Sequence, residues 1–351
     1  MSDILWVSCR DEGPEIVTCT FKEACLHGWA PDGGMYLPTR IPVVEVEELE
    51  SWRGLSYQAL CATVLAKWMP AGAIPPATLR SLVDSACARF AVEEVVRLVP
   101  LKKTKEKDQQ KEQQCQREQD EEQQQLHVLE LFHGPTMAFK DLGMCVLAEV
   151  MHWFLEQDAQ RLTLLVGTSG DTGPSALWAF RGKPRVDVVV LYPVGRVSSV
   201  QEGQMLQAGH RCRGRGSDDE EGGSGERERG GVFGDSSSSS RSSSSSGDGG
   251  GGVGGGGGNG YVIGCEGTSD DLDVPCEAVL RDAAFKQRHC LGTVNSVNIV
   301  RMLVQTVHFF YAYLRLVHKS TGDDDKEGGK VGWRHRVSFW RAPGRGQQER
   351  E

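Results

Sequence analysis

Residues Leu131 to Asp141 read L-F-H-G-P-T-M-A-F-K-D, and this stretch decides the fold. Gly134-Pro135 predicts a turn, and after Asp141 the apolar residues recur at helical spacing. The predicted helix is apolar on nearly every side, so we expect it to be buried. Lys140 then begins a buried helix, where desolvation favours the neutral amine that attacks an aldehyde to form a Schiff base. A helix-start lysine whose amine extends to solvent is the alternative interpretation.

A second motif follows the next predicted strand. Leu162 to Val166 is a short β-type run, and it leads into G-T-S-G-D-T-G at 167–173 and then Pro174. A glycine turn between a strand and a helix points backbone N–H groups at an anion. Val186 to Leu191 predicts a second parallel strand, so the loop lies at the carboxyl end of the sheet, where α/β proteins bind ligands. A purely structural glycine turn is the alternative.

Composition and charge narrow the classes of function. The chain has 351 residues, 39% of them hydrophobic, which allows two domains and a sizeable core. Its net charge of -9 argues against a general nucleic-acid or anionic-membrane binder. No apolar run has the length of a membrane span, and the early acids do not fit a signal peptide, so we expect a cytoplasmic protein without membrane partners. The cysteines are scattered without a C-x-x-C pair, so we predict reduced thiols, no zinc site and no disulfide.

Local patterns predict most of the remaining elements. A short helix is expected to end at His27-Gly28, followed by a turn and a strand, and helical periodicity covers Ser56 to Leu65 and Pro76 to Val99. Ser199 with Glu202 forms a capping-box pattern. Val294 to Leu316 predicts a long buried helix capped by Asn295-Ser296. Its aromatic residues are expected to be buried: Phe309, Phe310, Tyr311 and Tyr313.

Two segments are too polar or too biased in composition to build a core. Residues 102–125 are almost wholly Lys, Glu, Asp and Gln, and 209–260 contain serine and glycine runs. We interpret 102–125 as a solvated insertion and 209–260 as a disordered one. Long surface insertions cost little stability because the entropy of loop closure grows only logarithmically with length.

The motifs together resemble those of threonine synthases and threonine synthase-like proteins, which are fold-type II pyridoxal-phosphate enzymes. Leu131 to Asp141 resembles their cofactor-lysine motif, and G-W-A-P-D-G-G-M-Y-L-P at 28–38 resembles their N-terminal signature. T-S-G-D-T-G resembles the loop that lies beside the cofactor and holds the substrate carboxylate. L-Y-P at 191–193 and Q-E-G-Q-M at 201–205 match further family motifs.

The resemblance implies an α/β fold with a three-layer αβα core like that of tryptophan synthase β, incomplete at the C-terminus, and an N-terminal helical module. The phosphate-binding turn P-T-G-N-F-G has no match: R-A-P-G-R-G follows the expected strand at 336–340. The implied organisation is an N-terminal module (1–101), an insertion (102–125), a first part of the catalytic core (126–208), a second insertion (209–260), a second core part (261–340) and a divergent tail (341–351).

The resemblance also implies the site. Lys140 would hold pyridoxal 5'-phosphate as a Schiff base and act as the catalytic base, with Phe139, Ser169 and Gly170 beside the cofactor. The substrate-binding residues would be Thr168, Ser169, Gly170, Asp171, Thr172, Asn295, Ser296 and Asn298. Asp171 is unusual in a carboxylate-binding turn, so it should face away or bind an amine.

Three functions remain open from the sequence. The first is a lyase of threonine synthase type, acting on a small phosphorylated amino acid, O-phosphohomoserine, to give threonine and phosphate. The second is a phospholyase that leaves 2-oxobutanoate from O-phosphothreonine or O-phosphohomoserine. The third is a non-catalytic remnant. We expect a monomer or a homodimer.

Overall fold

The computed structural model describes residues 3–13, 16–101, 126–211 and 260–320. Most of both predicted insertions and the whole predicted tail lie outside these ranges. The first half contains β1 (Trp6–Ser8), β2 (Thr18–Cys19), α1 (Phe21–His27), β3 (Tyr36–Pro38), α2 (Val46–Ser51), α3 (Tyr57–Ala66), α4 (Pro76–Cys87), β4 (Arg97–Pro100) and β5 (His127–Glu130). Then follow α5 (Lys140–Gln157), β6 (Leu162–Gly167), α6 (Thr172–Phe180), β7 (Val186–Pro193), α7 (Ser199–Ala208), β8 (His210–Arg211), β9 (Gly260–Cys265), α8 (Ser269–Arg281), α9 (Ala283–Arg288), β10 (Leu291–Gly292) and α10 (Ile299–Ser320).

The N-terminal elements form a small antiparallel sheet, in the order β2-β1-β3, with helices packed beside it. Thr20 and Glu23 form a capping box at the start of α1, and Gly28 ends that helix with a φ of 70°, as the His27-Gly28 prediction requires. The prediction of helix from Pro76 to Val99 is wrong beyond Cys87. Arg97–Pro100 is instead a strand, because it pairs antiparallel with β5.

A parallel sheet of five strands, in the order β10-β6-β7-β9-β8, forms the centre of the fold. Its strands alternate between buried and half-buried residues, so one face is covered more completely than the other. The helices α5 and α6 pack together on the well-buried face, where Val190 contacts Gly173 of α6. On the other face α8 packs against β6 and β7. This arrangement is the predicted α/β class with helices on both faces of a parallel sheet.

Helix α10 joins the sheet domain to the N-terminal elements. It packs against α5 so closely that a Cβ on Gly143 would lie 3.3 Å from the Cα of Arg301. The buried hydrophobic residues of both regions form one contiguous cluster. The predicted cap at Asn295-Ser296 is wrong, because Asn298 directly precedes the helix and its side chain accepts the Val300 N–H at 3.1 Å. Phe309 is 50% exposed, contrary to the prediction that all four aromatic residues are buried.

The sequence predicted no membrane span, no zinc site and no disulfide, and the structure bears on these predictions only within the described ranges. There, no helix is both long and apolar enough to cross a membrane. No group of His, Cys, Asp and Glu side chains in these ranges is placed to hold a metal ion. Every cysteine within them is a free thiol.

Candidate active site

The turn before Lys140 is fixed by the aspartate that follows the lysine. Asp141 is 1% exposed, and its carboxylate accepts the Thr136 N–H at 2.8 Å and the Thr136 hydroxyl at 2.6 Å. Gly134 allows this packing, since a Cβ there would lie 2.4 Å from the Cβ of Asp141. Asp141 therefore holds the turn to the first residues of α5, which sets the position from which the lysine side chain projects.

Lys140 is the first residue of α5, and its side chain extends towards the glycine loop. Its Nζ lies 3.5 Å from Oδ2 of Asp171 and 5.9 Å from the centre of the Phe139 ring. The helix is buried as predicted, but the Lys140 side chain remains 22% exposed, because it stands at the open end of the helix. Of the two possibilities for Asp171, the structure shows an acid that binds an amine, and that amine belongs to Lys140.

The glycine loop connects β6 to α6 at the carboxyl end of the sheet. Thr168 is buried, and its hydroxyl accepts the N–H groups of Gly170 and Gly173, each at 3.1 Å. Ser169 is exposed, and Thr172 begins α6. Within the described part of the chain, no acceptor takes the N–H groups of Ser169 and Asp171. The loop thus presents backbone donors at a helix N-terminus, an arrangement that suits a carboxylate.

Helix α7 contacts both segments that flank the lysine. The Gln201 side chain donates from Nε2 to Oδ1 of Asp171 at 2.7 Å. One turn later, Gln204 donates from its Nε2 to the carbonyl oxygen of Thr136 at 3.2 Å. The same helix therefore binds the glycine loop and the turn before Lys140.

The capping box of α7 lies one position earlier than predicted. Ser198 accepts the Gln201 N–H at 3.2 Å, and Oε1 of Gln201 accepts the Ser198 N–H at 3.0 Å. Glu202 is not the capping partner, because it accepts the hydroxyl of Tyr192 at 2.7 Å. The prediction failed because Ser198 and Ser199 each have a suitable partner three residues later, and tertiary contacts select between them.

The segment before α10 lies at the same edge of the sheet as the glycine loop, because β10 and β6 are adjacent and parallel. Asn295 accepts the Val297 N–H at 3.1 Å, while its buried Nδ2 has no partner in the part of the chain described. Ser296 is exposed. Asn298 is fully buried and donates to the Cys25 carbonyl at 2.9 Å, so its side chain ties α10 to α1. Asn295 therefore has a donor available for a ligand, whereas both polar atoms of Asn298 are engaged in the fold.

An acid of α8 approaches the start of the glycine loop. Oδ1 of Asp273 would lie 3.3 Å from a Cβ on Gly167. Partial burial, and then the charges of Glu277 and Asp270, raise the pKa of Asp273 above its usual value. The Asp273 side chain therefore gives up its proton less readily than a free aspartic acid does.

Sequence reasoning missed the roles of three residues around Lys140. All three stand within quoted motifs: Asp141 binds Thr136 inside its own motif, whereas Gln201 and Gln204 contact segments distant in sequence. The family match of Q-E-G-Q-M was the available signal, and its attribution to a helix start accounts for only part of what Gln201 does.

Comparison with known proteins matches this chain to threonine synthases and threonine synthase-like proteins. The family model for the threonine synthase N terminus matches residues 5–87. Threonine synthase-like 2 of Rattus norvegicus is 33% identical over 310 residues, covering 88% of this chain and 49% of the relative. Threonine synthase of Saccharomyces cerevisiae is 29% identical over 329 residues, covering 91% of this chain and 51% of the relative. The chain thus spans about half the length of the curated relatives that it matches.

Solved structures agree with the fold. The structure of a PLP-bound threonine synthase from Brucella melitensis has a TM-score of 0.61 and 30% identity, covering 92% of this chain and 53% of that one. Threonine synthase from yeast has a TM-score of 0.63 and 28% identity, with 91% and 51% covered. The predicted fold of the pyridoxal-phosphate enzymes is therefore confirmed over the described ranges.

Proposed function

The chain belongs to the threonine synthase family, and from this premise we propose that it is a pyridoxal-phosphate-dependent lyase acting on a small phosphorylated amino acid. The reaction proposed first is that of O-phosphohomoserine with water to give threonine and phosphate. The observation that carries the proposal is the 3.5 Å approach of the Lys140 amine to Asp171 in the glycine loop, at the carboxyl end of β6.

The residues present fit the aldehyde end of the cofactor. That end needs a primary amine, and Lys140 supplies one beside the ring of Phe139. The buried amide nitrogen of Asn295, which lacks a partner in the described ranges, supplies an unused donor at the same sheet edge. When bound, pyridoxal phosphate acts as an electron sink for the substrate's α carbon. The place of the family's phosphate-binding turn, after the strand predicted at 336–340, lies outside the described ranges, and the sequence there, R-A-P-G-R-G, does not match that turn.

Each residue of the site has a defined task under this proposal. The loop N–H groups of Ser169 and Asp171 would bind the substrate carboxylate, with the dipole of α6 adding to the attraction. The Lys140 amine would move protons at the α and β carbons. The Asp171 carboxylate, 3.5 Å away, would keep that amine oriented towards the loop.

Two observations support the phospholyase as second candidate. The rat relative, a threonine synthase-like protein, has the higher identity, at 33% against 29% for the yeast synthase. Segment 269–275, S-D-D-L-D-V-P, also resembles the threonine synthase-like branch, whereas H-G-P-T at 133–136 resembles true synthases. A phospholyase would release 2-oxobutanoate, ammonia and phosphate in place of threonine and phosphate.

Absorbance spectra of the purified chain with added pyridoxal phosphate test the proposal. We expect a band of lysine-bound cofactor near the visible edge in the parent and no such band in Lys140→Ala. Lys286→Ala is the matched control, because it removes a half-buried lysine outside the site and should keep the band. Identical spectra for the parent and Lys140→Ala would refute the proposal and favour the non-catalytic alternative. With the band present, product analysis then separates threonine from 2-oxobutanoate.

A further inference from the structure

The side-chain amide of Gln201 makes two hydrogen bonds, one as an acceptor and one as a donor. Its Oε1 accepts the Ser198 N–H at 3.0 Å, which completes the cap of α7, and its Nε2 donates to Asp171 at 2.7 Å. A cap requires only an acceptor, so glutamate would serve there as well as glutamine. The bond to a carboxylate requires a donor. Glutamine supplies both, and the two bonds together fix which way the amide faces.

The loop is shaped to admit this amide. Gly170 has a φ of 154°, and a Cβ at that position would lie 2.5 Å from Nε2 of Gln201. A side chain on residue 170 would therefore displace the amide from the loop backbone. The glycine provides the space in which Gln201 reaches Asp171.

The contact continues to the lysine. Oδ1 of Asp171 accepts from Gln201, which leaves Oδ2 on the side of Lys140, 3.5 Å from its Nζ. Without the amide, an Asp171 side chain that is 43% exposed could rotate towards solvent. A charge-assisted hydrogen bond restrains that rotation.

We infer that Gln201 is a positioning residue, which acts through Asp171 to hold the Lys140 amine against the glycine loop. The inference rests on the proposed function for its consequence in cofactor binding. The contact itself is independent of that function.

A polarity swap tests the inference. Gln201→Glu keeps the cap acceptor and sets two carboxylates against each other, and Asp171→Asn removes the charged acceptor. In the double variant Asp171→Asn with Gln201→Glu, residue 171 supplies the donor and residue 201 the acceptor, so the hydrogen bond is restored in the opposite direction. Gln207→Glu adds the same charge on an exposed position of the same helix and serves as control.

Two measurements are made on each variant of the full chain. The first is the affinity for pyridoxal phosphate, from titration of the lysine-bound band. We expect Gln201→Glu to weaken it by about tenfold and Gln207→Glu to leave it unchanged, whereas the double variant, which lacks the Asp171 carboxylate beside Lys140, should bind no more tightly than Asp171→Asn. The second is amide hydrogen exchange across 168–172 without added cofactor, which should quicken in Gln201→Glu and slow again in the double variant.

The outcomes separate the inference from the proposed function. If Gln201→Glu exchanges and binds like Gln207→Glu, or if amide exchange across 168–172 is no slower in the double variant than in Gln201→Glu, the positioning role is refuted. If no variant, the parent included, forms the band, the proposed function fails. The exchange pattern then still decides whether Gln201 holds the loop through Asp171.

Discussion

The substitution Asp141→Ala gives the sharpest test of how the site is built. Asp141 is 1% exposed and accepts two hydrogen bonds from Thr136, at 2.8 and 2.6 Å. A hydrogen bond to a charged group contributes about 1.5 to 3 kcal/mol, so the pair is worth about 3 to 6 kcal/mol. Removing the carboxylate also removes its desolvation cost, which leaves an expected loss of about 2 to 4 kcal/mol in the free energy of unfolding.

Urea unfolding followed by tryptophan fluorescence measures this loss. Thr136→Val removes only the hydroxyl donor, one of the two hydrogen bonds, and should cost about 1.5 to 3 kcal/mol. Asp84→Ala is the control, because Asp84 forms an exposed ion pair with Arg80 and should change the stability by less than about 1 kcal/mol. If Asp141→Ala costs no more than Asp84→Ala, the turn before the lysine is not held by this carboxylate, and the reasoning fails.

Three further predictions concern other parts of the molecule. Ser198→Ala should destabilise the protein by about 1 kcal/mol through loss of the α7 cap, and unchanged urea midpoints would contradict the cap assignment. Burial lowers the pKa of His308 to about 4, and its Nδ1 lies 3.0 Å from the Tyr57 hydroxyl. The unfolded chain binds this proton near pH 6.5, so the free energy of unfolding should fall by up to about 3 kcal/mol as pH drops from 6.5 to 4. His308→Gln should lose this part of the pH dependence, and equal slopes for both proteins would refute it. Glu149→Leu leaves the Lys183 ammonium, bonded at 2.5 Å in the parent, buried without that partner. It should cost about 3 kcal/mol, whereas adding Lys183→Met should recover most of the loss; equal stability of the single and double variants would exclude the pair as the cause.

The elements around the lysine were predictable because their signals are local. The Gly134-Pro135 turn and the continuous apolar pattern after Asp141 specify the position of α5 within a few residues. The same holds for β6 and β7, whose β-type runs flank a glycine turn. The βαβ rule then places the loop at the carboxyl edge of the sheet, as the structure shows.

The predictions from sequence were wrong where two nearby residues were equally suitable as caps, or where contacts with a segment distant in sequence determine the structure. Arg97–Pro100 is a strand because it pairs with β5, which follows the 102–125 segment in sequence. Asn295 and Asn298 are both good capping residues, and Asn298 is selected because its amide also binds the Cys25 carbonyl. Phe309 fits a buried helix by composition, yet it falls on the side of α10 that faces solvent.

The residues of the candidate site could be predicted from sequence, but the contacts between them could not. Lys140 and the glycine loop were found from residue types in sequence. Their mutual approach, and the amide of Gln201 between α7 and the loop, depend on how helices pack. No local pattern encodes that packing.

Because α10 packs against the N-terminal helices, those helices cannot complete their packing until α10 has been synthesised. Tyr57 of α3 bonds to His308 of α10 across 251 positions, and Cys25 of α1 accepts from Asn298 across 273. A ribosome adds roughly 5 to 20 residues per second, so α3 emerges roughly 10 to 50 seconds before its partner. During that interval the apolar faces of α1 and α3 are exposed as in a nascent chain. Chaperones that bind exposed apolar segments therefore have their longest access to this protein between the synthesis of α3 and that of α10.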